Sequence, residues 1–176
     1  LKKRMSKYGS AIPNFDPKKI SMGVKKTLGG RGERGDVLEI DDKIIITLAL
    51  DAVEGKTDRE KARRLGEVMD HEIVHVLRKK DVISEADWKL LTKFVKAKRP
   101  TREGVEYEET WYEEAKRVYS EYAEINNLAM PTEAEVVEES IANSFSDWSR
   151  GMVITGKPQS IFRRIVDFFT GLGNGL

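Results

Sequence analysis

The chain has 176 residues, 35% charged and 39% apolar, with a net charge of +1; this suits one soluble, largely helical domain with a modest core. No run of about 18 apolar residues occurs, which excludes a membrane-spanning helix, and no signal peptide is visible. There is no cysteine, which excludes disulfides and thiolate metal ligands, so any metal must be held by histidine and carboxylate.

Residues 1–35 carry ten Lys or Arg, from Lys2 to Arg34, against Asp16 and Glu33, and read as a solvated, partly flexible basic arm. A basic arm can touch nucleic acid, but its charges are not interleaved with aromatic residues as a single-strand-binding groove requires, so nucleic acid is not the expected partner. Gly29-Gly30-Arg31-Gly32-Glu33-Arg34-Gly35 reads as a flexible loop. It lacks the G-K-[S/T] ending of a phosphate loop. Val37–Ile40 and Ile44–Leu50 are the clear strands, and Asp41-Asp42-Lys43 between them suggests a hairpin. Asp51 to Lys56 form the loop between the second strand and a long helix.

Thr57-Asp58-Arg59-Glu60 has the form of a capping box and heads that helical pattern. Ala62, Leu65, Val68, Met69, Ile73, Val76 and Leu77 recur at spacings of three and four, which marks one buried helix face. Arg78, Lys79 and Lys80 suit its C-terminus. Inside this helix lies His71-Glu72-Ile73-Val74-His75, which contains both histidines of the chain. This is the H-E-x-x-H pattern of zinc hydrolases, and its chance occurrence here is on the order of one in a thousand. Residues four apart share a helix face, so His71 and His75 can offer two ring nitrogens to one ion. Glu72 leans toward the same ion and can take a proton from a water it activates.

The remainder reads as helical. One helix begins at Ser84-Glu85-Ala86-Asp87 and carries Trp88, Leu91, Phe94 and Val95. A second, over 106–125, carries Trp111, Tyr112, Ala115, Val118, Tyr119 and Tyr122. A third opens at Pro131-Thr132-Glu133 and runs through Val136, Ile141 and Phe145 to about Arg150. A last one, from Ile161 to about Thr170, carries an amphipathic stripe of Ile161, Phe162, Ile165, Val166, Phe168 and Phe169. Packing or docking is the expected use of that stripe, and lying on a membrane surface is the sharper alternative. With both histidines used, a third protein ligand must be Asp or Glu. Helix 132–150 offers Glu138 and Glu139, about 100° apart around its axis. A Glu beside the apolar face can point inward, where it needs a partner such as a metal.

Glu139-Ser140-Ile141-Ala142-Asn143, taken with the histidine motif, resembles the gluzincin metallopeptidases. In that family a Glu on a later helix completes the H-E-x-x-H site, and a short polar residue often follows it by four. The segment also looks like the E-x-x-A-N run of the metallopeptidases that cleave phage repressors. The resemblance implies His71, His75 and Glu139 as zinc ligands, with Glu138 as the fallback, and Asn143 as the residue that orients a ligand histidine. A metzincin would need a third histidine where Asp81 stands. Gly156 to Phe169, ending in Leu172-Gly173-Asn174, resembles the segment after zincin-like domains in large phage and mobile-element polyproteins. This implies a parent polyprotein and a location in the host cytoplasm or the virion. The two resembling segments cover about a quarter of the chain.

The expected fold is therefore α+β, mainly α and zincin-like, with a small hairpin or sheet on a long metal-binding helix. The arm would span 1–35, the metallopeptidase domain 36–155, and a C-terminal amphipathic helix and tail 156–176. The expected activity is zinc-dependent hydrolysis of a peptide or protein substrate, with Glu72 as general base. Tyr119 or Tyr122 would stabilise the oxyanion unless they are core aromatics. An extended substrate would add to the free edge of strand Ile44–Leu50. The alternative is a zinc-containing structural or binding module that cleaves nothing.

Overall fold

A computed structural model of the chain describes residues 20–25, 35–40, 43–49, 57–101, 104 and 106–171. The turn at Asp41-Asp42, Leu50, the 51–56 segment, the 172–176 tail and the side chains of Phe168 and Phe169 lie outside the described residues, as does most of the basic segment. The described residues are mainly helical, with five helices and three strands. None of these helices is long and apolar enough to cross a membrane. The chain divides into two compact units, residues 1–82 with 162–176, and residues 83–161.

The first unit holds strands β1 (Ile20–Lys25), β2 (Gly35–Ile40) and β3 (Lys43–Ala49) in one sheet of order β1-β3-β2. β2 pairs antiparallel with β3, from Ile40 opposite Lys43 to Gly35 opposite Leu48. β1 pairs parallel with β3, from Ile20 opposite Ile44 to Lys25 opposite Ala49. β1 falls in the segment read as an arm, yet Ile20, Met22 and Val24 alternate with Ser21, Gly23 and Lys25 at the period of a strand. β3 is the central strand, so the free edge expected for it does not exist: both its sides are taken by neighbours. Thr47, Leu48 and Ala49 are accordingly buried in succession, as in a strand covered on both faces.

Helix α1 (Asp58–Lys79) rests on β2 and β3. Its start is fixed by the expected capping box: the Thr57 hydroxyl accepts from the Glu60 amide, and Glu60 Oε2 accepts from the Thr57 amide, both at 3.2 Å. Leu65, Met69, Ile73, Val74, Val76 and Leu77 are buried, each contributing roughly 1.5–3 kcal/mol. Ala62 is exposed, and Val68 only half-buried. Val74 lies off the stripe predicted from three-four spacing, so the covered arc of the helix is wider than one seam. Arg78 and Lys79 close the last turn.

The second unit contains α2 (Glu85–Val95), α3 (Trp111–Asn126) and α4 (Glu133–Ser149), with α4 packed on both of the others. Capping boxes Thr110/Glu113 and Thr132/Glu135 start α3 and α4. Asn127 ends α3 in the left-handed region, at φ 54°, a conformation asparagine tolerates. Trp111 is fully buried; its Nε1–H donates to Asp147 Oδ2 at 2.8 Å, and its ring lies 5.1 Å from that of Phe94. The buried Arg99 joins this group through Glu114 at 2.7 Å and Asp147 at 3.4 Å. Helix α5 (Gly156–Gly171) comes last; of its stripe, Ile161, Phe162 and Ile165 are buried and Val166 is exposed.

Candidate metal centre

The phase of α1, set at Thr57, places His71 and His75 half-buried at the margin of its covered face, while Glu72 to Val74, Val76 and Leu77 are buried. The two imidazoles converge edge to face, with ring centroids 5.0 Å apart and planes at 63°. Their Nε2 atoms stand 3.2 Å apart. Two nitrogens, each about 2.0–2.1 Å from one tetrahedral zinc ion, would be about 3.3 Å apart. The spacing of the pair therefore matches that of two nitrogens on one ion. In the absence of an ion the same spacing suits an N–H···N hydrogen bond between neutral rings.

Glu72 is buried on the same helix, with 8% of its surface exposed. Its carboxyl group lies against the first residue of β2. A Cβ built on Gly35 would stand 2.8 Å from both Cγ and Cδ of Glu72, and closer still to Oε1. No real Cβ occupies such a position, so the base predicted from the motif sits in space that only glycine leaves open.

In the second unit, α4 carries Glu138, Glu139 and Asn143, all half-buried. The Tyr119 hydroxyl on α3 donates to Glu139 Oε2 at 2.5 Å, the short spacing of an O–H bonded to a carboxylate. Of the two tyrosines expected to serve the oxyanion, Tyr119 is thus engaged with a candidate ligand. Tyr122 is half-buried, and its carbonyl accepts from Asn126 Nδ2 at 2.7 Å. One turn before Glu139, Glu135 is held below the usual carboxylate range, chiefly by the Thr132 backbone amide and then by its hydroxyl.

Among the described residues, His71, His75 and Glu139 form a group that could in principle hold a metal ion. Glu138, the fallback, is not part of that group. Two residues escaped the reading of the sequence. The first is Gly35, whose glycine-rich surroundings read only as loop. The second is Tyr119 as a partner of Glu139, a pairing that connects separate helices and leaves no spacing signature. No protein-family model, curated protein or solved structure matches the chain.

Proposed function

We propose that the chain is a zinc-dependent metallopeptidase of the gluzincin type, with His71, His75 and Glu139 holding the ion. The observation that carries this reading is the 3.2 Å approach of the two histidine Nε2 atoms, on a helix that also buries Glu72 one residue along. Two nitrogens and a carboxylate leave a fourth position open, the arrangement of catalytic rather than structural zinc. Bound zinc supplies an activated water and a Lewis acid for the substrate carbonyl.

The chain's own residues divide the remaining work. Glu72 accepts a proton from the attacking water and passes it to the leaving amine; an intact Glu at this position is what a purely structural zinc module would not need. Tyr119 holds the Glu139 carboxylate through its 2.5 Å hydrogen bond, and Asn143, one turn further along α4, would orient a ligand histidine. The zincin-like character of the fold belongs to this proposal, as does the substrate path. Since β3 is central and α1 rests on β2, an extended peptide would add to the outer edge of β2, where no strand pairs among the described residues. This replaces the β3 edge expected from the sequence.

The test is zinc content per chain together with cleavage of a peptide library by wild type and Glu72→Gln. One zinc in both proteins, with cleavage by wild type falling about 10²- to 10⁴-fold in the variant, is the expected result. Cleavage at the wild-type rate by Glu72→Gln would remove the base assignment. Zinc without any cleavage by wild type would favour the structural module, and no zinc at all would reduce the histidine pair to an ordinary feature of the helix.

A further inference from the structure

We propose that Gly35 is the positioning residue for Glu72, its missing side chain being the space in which the carboxyl group is held against β2. The role given to Glu72 rests on the peptidase reading, whereas the placement itself does not. Three atoms of the Glu72 side chain fall within 2.8 Å of where a Gly35 Cβ would be, and they include the carboxyl carbon rather than only a mobile tip. Glu72 cannot easily yield, because it is buried and its backbone is fixed beside Ile73 and Val74, both buried in the same turn. Nor can Gly35 easily yield, because it is paired opposite Leu48, a fully buried residue of the central strand. The two backbones are thus held at a separation that suits a glutamate facing a glycine. Any side chain at position 35 must push the carboxylate elsewhere.

The sign of the effect is diagnostic. Alanine is ordinarily the better residue in a strand, since glycine loses more freedom on folding. A cost of Gly35→Ala therefore measures the collision and not the strand. Thermal unfolding of the full-length chain is measured for wild type, Gly35→Ala, Glu72→Ala and the double variant, in the presence of a chelator so that no bound ion contributes. Gly35→Ala is expected to lower Tm by about 5 °C in the wild-type background. It should lower Tm by less than about 1 °C, or raise it, where Glu72 is already alanine. Equal losses in the two backgrounds would overturn the proposal. If Gly35→Ala alone is too unstable to purify, recovery of folded protein in the double variant reports the same coupling, and failure of both overturns it.

The catalytic consequence is read separately, on zinc-loaded protein. Gly35→Ala should keep its zinc and its KM while kcat falls about 10²-fold, the usual cost of displacing a reacting group by an ångström. An unchanged kcat would show that the carboxylate is not positioned by this glycine. A wild-type chain that cleaves nothing but retains the thermal coupling would defeat the peptidase reading and leave the Gly35–Glu72 fit standing.

Discussion

Tyr119→Phe removes a single hydroxyl and isolates one contribution to the proposed metal centre. That hydroxyl donates to Glu139 Oε2 at 2.5 Å. A hydrogen bond to a charged group is worth about 1.5–3 kcal/mol. If the bond orients Glu139 for an ion, that energy appears in metal affinity, where each 1.4 kcal/mol is about tenfold. The expected loss is thus roughly 10- to 100-fold, the range found when the partners of metal ligands are removed. Phenylalanine fills the same volume, so packing of α3 on α4 is kept. Zinc affinity is measured by competition with a chromophoric chelator for wild type, Tyr119→Phe, Tyr122→Phe and Glu139→Ala. Tyr122→Phe should change affinity by less than about twofold, a few tenths of a kcal/mol, and Glu139→Ala should cost the most. Tyr119→Phe binding zinc like wild type, while Glu139→Ala binds weakly, would refute the orienting role. Unchanged affinity in Glu139→Ala would refute the ligand itself.

Two further predictions concern the second unit. Trp111→Ala empties a fully buried site and removes the Nε1–H donor from Asp147, which keeps its Arg99 and Arg150 partners. The cost should be about 3–5 kcal/mol, a Tm fall of roughly 6–20 °C by calorimetry, and a fall under about 2 °C would contradict the packing described. Acid should also destabilise the chain. Glu109, Glu113, Glu133 and Glu135 are held below the ordinary carboxylate value of 4.5 by the Arg117 side chain, the Thr110 amide, the Lys96 side chain and the Thr132 amide respectively. Groups whose folded pKa is depressed contribute stability above the unfolded value and lose it as pH falls through the folded one. Tm should therefore hold from about pH 7 to about 5.5 and decline below about 4.5; each step is small because the groups are solvent-exposed. A Tm that rises on acidification would contradict these assignments.

The most legible part of the sequence was local. The Thr57 capping box, the extent of α1 and the convergence of His71 with His75 all derive from spacings of three and four within one helix. The outer strand β1 was written in the alternation of Ile20, Met22 and Val24, but the surrounding lysines made the segment look solvated. A charge count cannot separate a strand with a polar face from an arm. The edge available to a substrate was misjudged because strand order depends on which segments meet, and β1's pairing with β3 has no local signal. Gly35 illustrates the same limit. Its neighbours Gly29, Gly30 and Gly32 mark it as loop, and only the approach of Glu72 from another element distinguishes it. Arg99 and Asp147, 48 residues apart, likewise meet only in three dimensions.

The central position of β3 also dictates an order of assembly. β2 and β3 are separated by two residues and can pair on the microsecond scale of a hairpin. β1 must find its parallel register with Ile44 from a start at Ile20, across an intervening strand, and parallel partners cannot be joined by a tight turn. Loop closure makes that contact slower to form. Strand β1 is then the last to arrive and the first to leave. Amides of β3 that bond to β2 should outlast those that bond to β1 in hydrogen exchange. The β2 edge proposed for substrate would thus sit on the earlier and more durable half of the sheet, the half on which α1 rests.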